Sequence, residues 1–201
     1  MEQIILATNN AGKIQEIKEI LKEFPVELIS LKEAGMTIDV EEDQNTFEGN
    51  ALKKAEEITK LTGKSCIADD SGICINFLKG FPGVETKRFL GEQATQEERN
   101  QYLIQQLEKV LEKEERKAQV VTCISLSTPN APGKVFKGVV EGYISKTRRG
   151  SNGFGFDEIF ELEDGRTLAE LSKEEKNKIS SRKQALQALQ EFLRNQNERS
   201  K

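Results

Sequence analysis

Ile4-Ile5-Leu6-Ala7-Thr8-Asn9-Asn10-Ala11-Gly12-Lys13 is the stretch that decides how this chain folds. Its apolar half reads as a buried strand. Beyond Lys13, the residues Ile14, Ile17, Ile20 and Leu21 recur at helical spacing, so the polar residues between form a strand-to-helix turn. Such a turn aims backbone N–H groups and the positive end of the helix dipole at one point. That favours an anion, and Lys13 adds a mobile positive charge. The run nearly matches the phosphate loop G-x-x-x-x-G-K-[ST], but Ala7 stands at its first glycine and Ile14 at its hydroxyl position. A nucleotide held here needs its metal ion ligated elsewhere. The same residues equally suit an ordinary turn with an exposed lysine.

Outward from this stretch, strands are predicted at residues 3–7, 26–30, 65–68, 73–78, 119–127, 134–147 and 158–162. Helical patterns cover 12–23, 46–61, 95–114 and 172–195, and capping boxes mark two starts, Thr95 with Glu98 and Ser172 with Glu175. Alternation in the first seventy residues indicates βαβ units. The turn Ser127-Thr128-Pro129-Asn130-Ala131-Pro132-Gly133 joins two later strands into a long antiparallel hairpin. The expected architecture is therefore α/β, a mixed twisted central sheet with helices on both sides and a hairpin lobe. Residues 1–201 read as one domain, without repeat or linker. The charge-dense run 108–117 reads as a solvated helix end.

Histidine is absent, which rules out a Ser-His-Asp triad, a Cys-His pair and a His-ligated metal. Proton acceptors must come from Asp, Glu, Lys, Tyr or Cys, and a catalytic metal from the hard, oxygen-ligated cations. Charged residues make up 32% of the chain, yet the net charge is only −4, so no global field draws it to nucleic acid or membrane. No apolar run is long enough to span a bilayer, and no signal peptide is expected before the first strand. Cys66, Cys74 and Cys123 lack C-x-x-C spacing and read as core residues in a reducing cytoplasm.

Four further constellations could carry chemistry. In Ser65-Cys66-Ile67-Ala68-Asp69-Asp70-Ser71-Gly72 a short strand is expected to end in two carboxylates, at the strand end where α/β sheets gather ligands. Adjacent side chains on extended backbone face opposite ways, so the two Asp should have different roles; a plain turn is the alternative. Glu41-Glu42-Asp43 precedes a helix capped by Thr46, on which Asn50 and Lys54 share a face. With Asp70, those acids could form an oxygen cage for Mg²⁺. In Arg148-Arg149-Gly150-Ser151-Asn152-Gly153-Phe154-Gly155-Phe156-Asp157, glycines allow close approach and phenylalanines offer faces for a base, although a glycine-rich hairpin exit over core aromatics fits as well. Finally, Ser180-Ser181 interrupts the last helical pattern as a second N-cap and makes Arg182 a candidate pocket-facing guanidinium.

Taken in order, Thr8 to Lys13, Ala68 to Gly72, Gly80-Phe81-Pro82-Gly83-Val84, Gly153 to Asp157, and Glu174-Glu175-Lys176 before Ser180-Ser181-Arg182 resemble the inosine triphosphatase family over nearly the whole chain. These are pyrophosphatases of non-standard purine nucleoside triphosphates. The resemblance implies Mg²⁺-dependent hydrolysis of ITP, dITP and XTP to monophosphate and pyrophosphate by a cytoplasmic homodimer whose two lobes flank the active site. By position, Thr8, Asn9, Asn10, Ala11, Gly12 and Lys13 would line the phosphate loop, with Lys54 assisting. Glu42 and Asp70 would hold the metal, and Asp70 would accept the proton of the attacking water. Ser71 would touch substrate. Phe154 would stack on the base, with Gly155, Phe156 and Asp157 completing the nucleoside pocket and Lys176, Ser181 and Arg182 at the base-reading end. Two positions depart from the family's pattern: Ser181 stands where histidine is usual, and Gly49 where glutamate often precedes Asn-Ala.

Two other readings compete. A septum-inhibitor-type pyrophosphatase acting on pyrimidine or modified nucleotides would carry a Ser/Arg-rich opening loop, which Thr8 to Lys13 is not. A nucleotide-sensing or single-strand-binding module would work through Arg148 and Arg149, against the acidic balance of the chain.

Overall fold

A computed structural model describes residues 2–22 and 25–199, excluding the side chains of Glu2 and of 196–199. The elements run β1 (Glu2–Leu6), α1 (Ala11–Ile20), β2 (Val26–Ser30), α2 (Phe47–Thr62), β3 (Cys66–Ile75), α3 (Gln96–Gln106), β4 (Lys117–Thr128), β5 (Ala131–Ile144), β6 (Phe160–Glu161), α4 (Lys173–Ile179) and α5 (Ser181–Arg199). The strands lie in the order β2-β1-β3-β4-β5-β6. β1 pairs parallel with β2 and with β3, while β5 and β6 are antiparallel, so the sheet is mixed as expected. Only two residues separate β4 from β5, a link that permits antiparallel pairing alone. The final residue of the first expected helix, Glu23, lies outside the described residues.

By its internal contacts the chain divides into two units, Met1–Asp70 with Thr122–Gly138 and Ser181–Lys201, and Ser71–Val121 with Val139–Ser180. In the first, the period-two alternation of the strands sorts side chains onto two faces. Ile4, Leu6 and Ile67 pack with Ile17 and Leu21, and with Ala185, Leu186 and Leu189 of α5. Ile5, Ala7, Cys66 and Ala68 pack instead with Ala55 and Ile58 of α2. Helices therefore cover both faces of β1 and β3. Burial pushes the Cys66 and Cys123 thiols up to about 12, so neither is a ready nucleophile.

The second unit has its own core, in which Ile73, Ile75, Leu103, Leu107, Ile144 and Phe160 are nearly or fully buried. Arg116 pins it. This buried guanidinium donates to four main-chain carbonyls, those of Leu107, Val110, Ile144 and Ser145. Most of the run 108–117 is solvated as expected, but its arginine turns inward to these carbonyls.

Two expectations change and one holds. The helix predicted over 95–114 ends at Gln106, and a short 3-10 turn follows at Lys113–Arg116. The strands expected at 65–68 and 73–78 are one strand, β3, running straight through Asp69-Asp70-Ser71-Gly72. Turn-forming residues stay extended there because neighbouring strands and buried cations hold them. The expected break in the last helix is present: Ser180 is extended (φ −60°, ψ 148°), ending α4 before α5 begins at Ser181.

Candidate active site

In the first unit, β1 delivers the loop Ala7 to Asn10 to the start of α1. Asn10 is the helix N-cap, its side-chain oxygen accepting from the Lys13 amide at 3.1 Å, while Thr8 Oγ1 accepts from the Asn10 amide at 3.2 Å. Asn9, Asn10 and Ala11 are exposed, and Thr8 and Gly12 half-buried. Lys13 differs from the expectation of a mobile charge. It is buried, and its ammonium lies 2.8 Å from Asp69 Oδ2. The strand-borne carboxylate draws the lysine inward, since a buried ammonium requires a counterion.

Two more cations meet the same residue. Arg182, at the start of α5, donates from Nη2 to Asp69 Oδ2 at 3.0 Å and from Nη1 to Glu16 Oε2 at 2.5 Å. Lys54 of α2 donates to the Asp69 main-chain oxygen at 2.5 Å and to Glu42 Oε1 at 2.6 Å. Lys13, Lys54 and Arg182 are only 4, 7 and 5% exposed. Burial alone would raise the Asp69 pKa, but Lys13, Arg182 and Lys54 hold it well below the usual carboxylate range. Against the same burial, Asp69 and Glu16 raise that of Arg182.

Asp70 faces the other way, as the alternation of an extended strand requires. Its Oδ2 accepts from Asn50 Nδ2 at 3.0 Å, and Asn50 Oδ1 in turn accepts from the Gln44 amide at 2.9 Å. Asn50 and Lys54, one helical turn apart, thus present the β3 acids with a neutral donor and a cation. Of the acidic run 41–43, Glu42 is the member turned to Lys54, whereas Asp43 pairs with Lys53 and Glu41 is exposed. Glu48 points to Lys137. A side chain at position 49 would have its Cβ 2.9 Å from Gln44 Cβ and 3.0 Å from Thr46 Oγ1, which explains glycine there.

Could these groups hold a hard cation? The donor set is all oxygen, and its three cations face four carboxylates, Glu16, Glu42, Asp69 and Asp70. Two carboxylates on separate segments, Glu42 and Asp70, suit an ion that takes one or two carboxylates and completes its shell with water and phosphate oxygens. Among the described residues no group of three or more Asp, Glu or Cys side chains forms a ready-made cage. Such an ion would depend on its ligand.

The second unit gathers Phe154, Asp157 and Lys176. Asp157 Oδ2 accepts from the Phe154 amide at 2.8 Å and from Lys176 Nζ at 2.6 Å. The same ammonium lies 4.4 Å from the centroid of the Phe154 ring. Gly153 (φ +80°) must be glycine, because a Cβ there would fall 2.0 Å from Asp157 Oδ2. Asn100 donates to the Gly155 carbonyl at 3.1 Å and Ala169 to that of Asp157 at 3.0 Å, fixing the loop. Phe156 stacks on Phe89 in the core, centroids 6.4 Å apart. Phe154 is half-buried and Ser71, next to Asp70 on β3, likewise.

Lys176 therefore joins the aromatic loop, whereas Arg182 joins the cations around Asp69, and Ser181 is buried with its hydroxyl 2.8 Å from that of Thr122. Asp69, expected only as the partner of Asp70 with a different role, is the residue that gathers the cations, and Glu16 is a functional candidate the sequence expectations did not include. Glu16 lies three residues after Lys13 on α1, the spacing that puts two side chains on one face, and that signal was available.

An α/β chain with a phosphate-type turn, paired strand-borne carboxylates and buried lysines is organised as a nucleotide-handling enzyme. It belongs to the Ham1 family, whose model matches residues 4–192. Among curated proteins it is 44% identical to a dITP/XTP pyrophosphatase of Bacillus licheniformis, over 96% of this chain and 98% of that one. It is 45% identical to a dITP/XTP pyrophosphatase of Caldanaerobacter subterraneus, over 96% of each. Among solved structures it resembles a Ham1 protein from Coxiella burnetii with a TM-score of 0.88 and 39% identity, covering 97% of this chain and all of that one. The resemblance seen in the sequence and the expected fold class both hold.

Proposed function

We propose that this chain hydrolyses non-standard purine nucleoside triphosphates, dITP, ITP and XTP, to the monophosphate and pyrophosphate, clearing them from the nucleotide pool. The observation that carries the reading is the set of buried cations at Asp69, one residue from Asp70 on the same strand. Breaking a phosphoanhydride needs charge neutralisation and positioning more than covalent help. Thr8, Asn10, Lys13 and Lys54 receive the phosphates, with the loop residues Asn9, Ala11 and Gly12 lending backbone. Asp70 takes a proton from water as its oxygen adds to phosphorus and the α–β anhydride bond breaks, so pyrophosphate leaves whole. Ser71 contacts substrate beside it.

Glu42 and Asp70 would hold Mg²⁺. When bound, that ion would supply positive charge to offset that of the triphosphate. Phe154 stacks on the base, held by Gly155, Phe156 and Asp157 and flanked by Lys176. Ser181 and Arg182 stand at the base-reading end. A 6-oxo purine offers an acceptor where adenine offers an amino donor, and each mismatched polar group in a dry pocket costs about 1–3 kcal/mol. The working form is a cytoplasmic homodimer that takes no nucleic acid; no helix among the described residues is long and apolar enough to cross a membrane, and Cys66, Cys74 and Cys123 form no disulfide. The test is a panel of ITP, dITP, XTP, dUTP, GTP and ATP assayed with Mg²⁺. Turnover of the first three at least about tenfold above the rest is expected, and equal turnover of ATP overturns it.

A further inference from the structure

Lys13, Lys54 and Arg182 come from three different helices, yet each is anchored to one residue. A single oxygen, Asp69 Oδ2, takes Lys13 at 2.8 Å and Arg182 at 3.0 Å, and the main-chain oxygen of Asp69 takes Lys54 at 2.5 Å. Two like charges sharing one oxygen lie within about 6 Å and repel, so they stay together only while the carboxylate between them is charged. The other oxygen, Asp69 Oδ1, is buried and accepts no hydrogen bond among the described residues. The carboxylate therefore serves its cations and no second network. Glu16 adds an independent hold on Arg182 at 2.5 Å.

We infer that Asp69 is a positioning residue that sets Lys13, Lys54 and Arg182 as one array, with Glu16 as the second support of Arg182. This rests on the proposal that Lys13 and Lys54 bind phosphate. Because Asp69 precedes Asp70 on β3, the strand also fixes the spacing between the array and the proton acceptor. Neither residue touches substrate; both act through Lys13 and Arg182.

The experiment is a double-mutant cycle read by steady-state kinetics with ITP and by inhibition with inorganic pyrophosphate, folding being checked by circular dichroism. Asp69→Asn keeps the shape and removes the charge. It is expected to lower kcat/KM by about 100-fold and to raise the pyrophosphate inhibition constant by about tenfold. In a Lys13→Met background the same change should cost less than about threefold. Losses that multiply in the double variant, near-normal kinetics in the single one, or tighter pyrophosphate inhibition would each overturn the inference. If Lys13→Met alone leaves kinetics unchanged, the phosphate reading fails instead. Should Asp69→Asn not fold, Glu16→Gln decides: about a tenfold loss that vanishes in an Arg182→Met background supports the array, and a loss that persists there refutes it.

Discussion

Replacing Asp157 by asparagine tests how the aromatic loop is held. One oxygen, Asp157 Oδ2, accepts from both the Phe154 amide and Lys176 Nζ, and the two side chains are only 10 and 12% exposed. Asparagine keeps the volume but carries no charge, and its amide must turn either its oxygen or its NH₂ toward the ammonium. At least one charge-assisted bond is lost, worth about 1.5–3 kcal/mol, and Lys176 keeps no carboxylate partner at this position. For a chain of this size that is a fall in Tm of about 3–12 °C. Lys176, 4.4 Å from the Phe154 ring, then loses its fixed place over it. Discrimination between ITP and ATP should drop by about tenfold. The assays are thermal unfolding by circular dichroism and kcat/KM for each nucleotide. An unchanged Tm together with an unchanged ITP-to-ATP ratio would refute the argument.

Asp70→Asn should fold normally, keep Asn50 as a neighbour and abolish turnover; activity within about tenfold of wild type would remove Asp70 as proton acceptor. Arg116→Met removes one donor from each of four main-chain carbonyls and should cost about 3–5 kcal/mol by urea unfolding, a loss under about 1 kcal/mol being the contrary result. The depressed Asp69 pKa gives an acid-dependent term. Its stabilisation is complete above the unfolded value of about 4 and is lost as pH falls through the lower folded value. The stability gap between wild type and Asp69→Asn should therefore be flat from neutral pH down to about 5 and shrink below about 4; a gap that widens in acid contradicts it.

Periodicity made β1, α1, β2 and α2 legible, because each alternates or repeats against a face that is buried. Ser180 likewise announced the break before α5, since a capping residue inside a helical pattern has few other uses. Local composition misled where burial reversed a propensity. Asp69-Asp70-Ser71-Gly72 is made of turn formers, yet it is strand because three cations and Asn50 pay its polar groups from both sides. Lys13 and Arg116 look like surface charges in sequence and are buried, each by partners more than fifteen residues away in the chain for at least one contact. Pairings such as Arg182 with Glu16 join opposite ends of the sequence and leave no local trace.

The opening loop lacks the hydroxyl of a γ-phosphate-cleaving site, and Lys13 is tied to Asp69 next to Asp70. The most direct test of the resulting claim is to measure pyrophosphate, orthophosphate and nucleotide products together in one reaction with ITP and Mg²⁺. One pyrophosphate for each inosine monophosphate, with no orthophosphate, is the predicted result. Orthophosphate and inosine diphosphate as the products would contradict it.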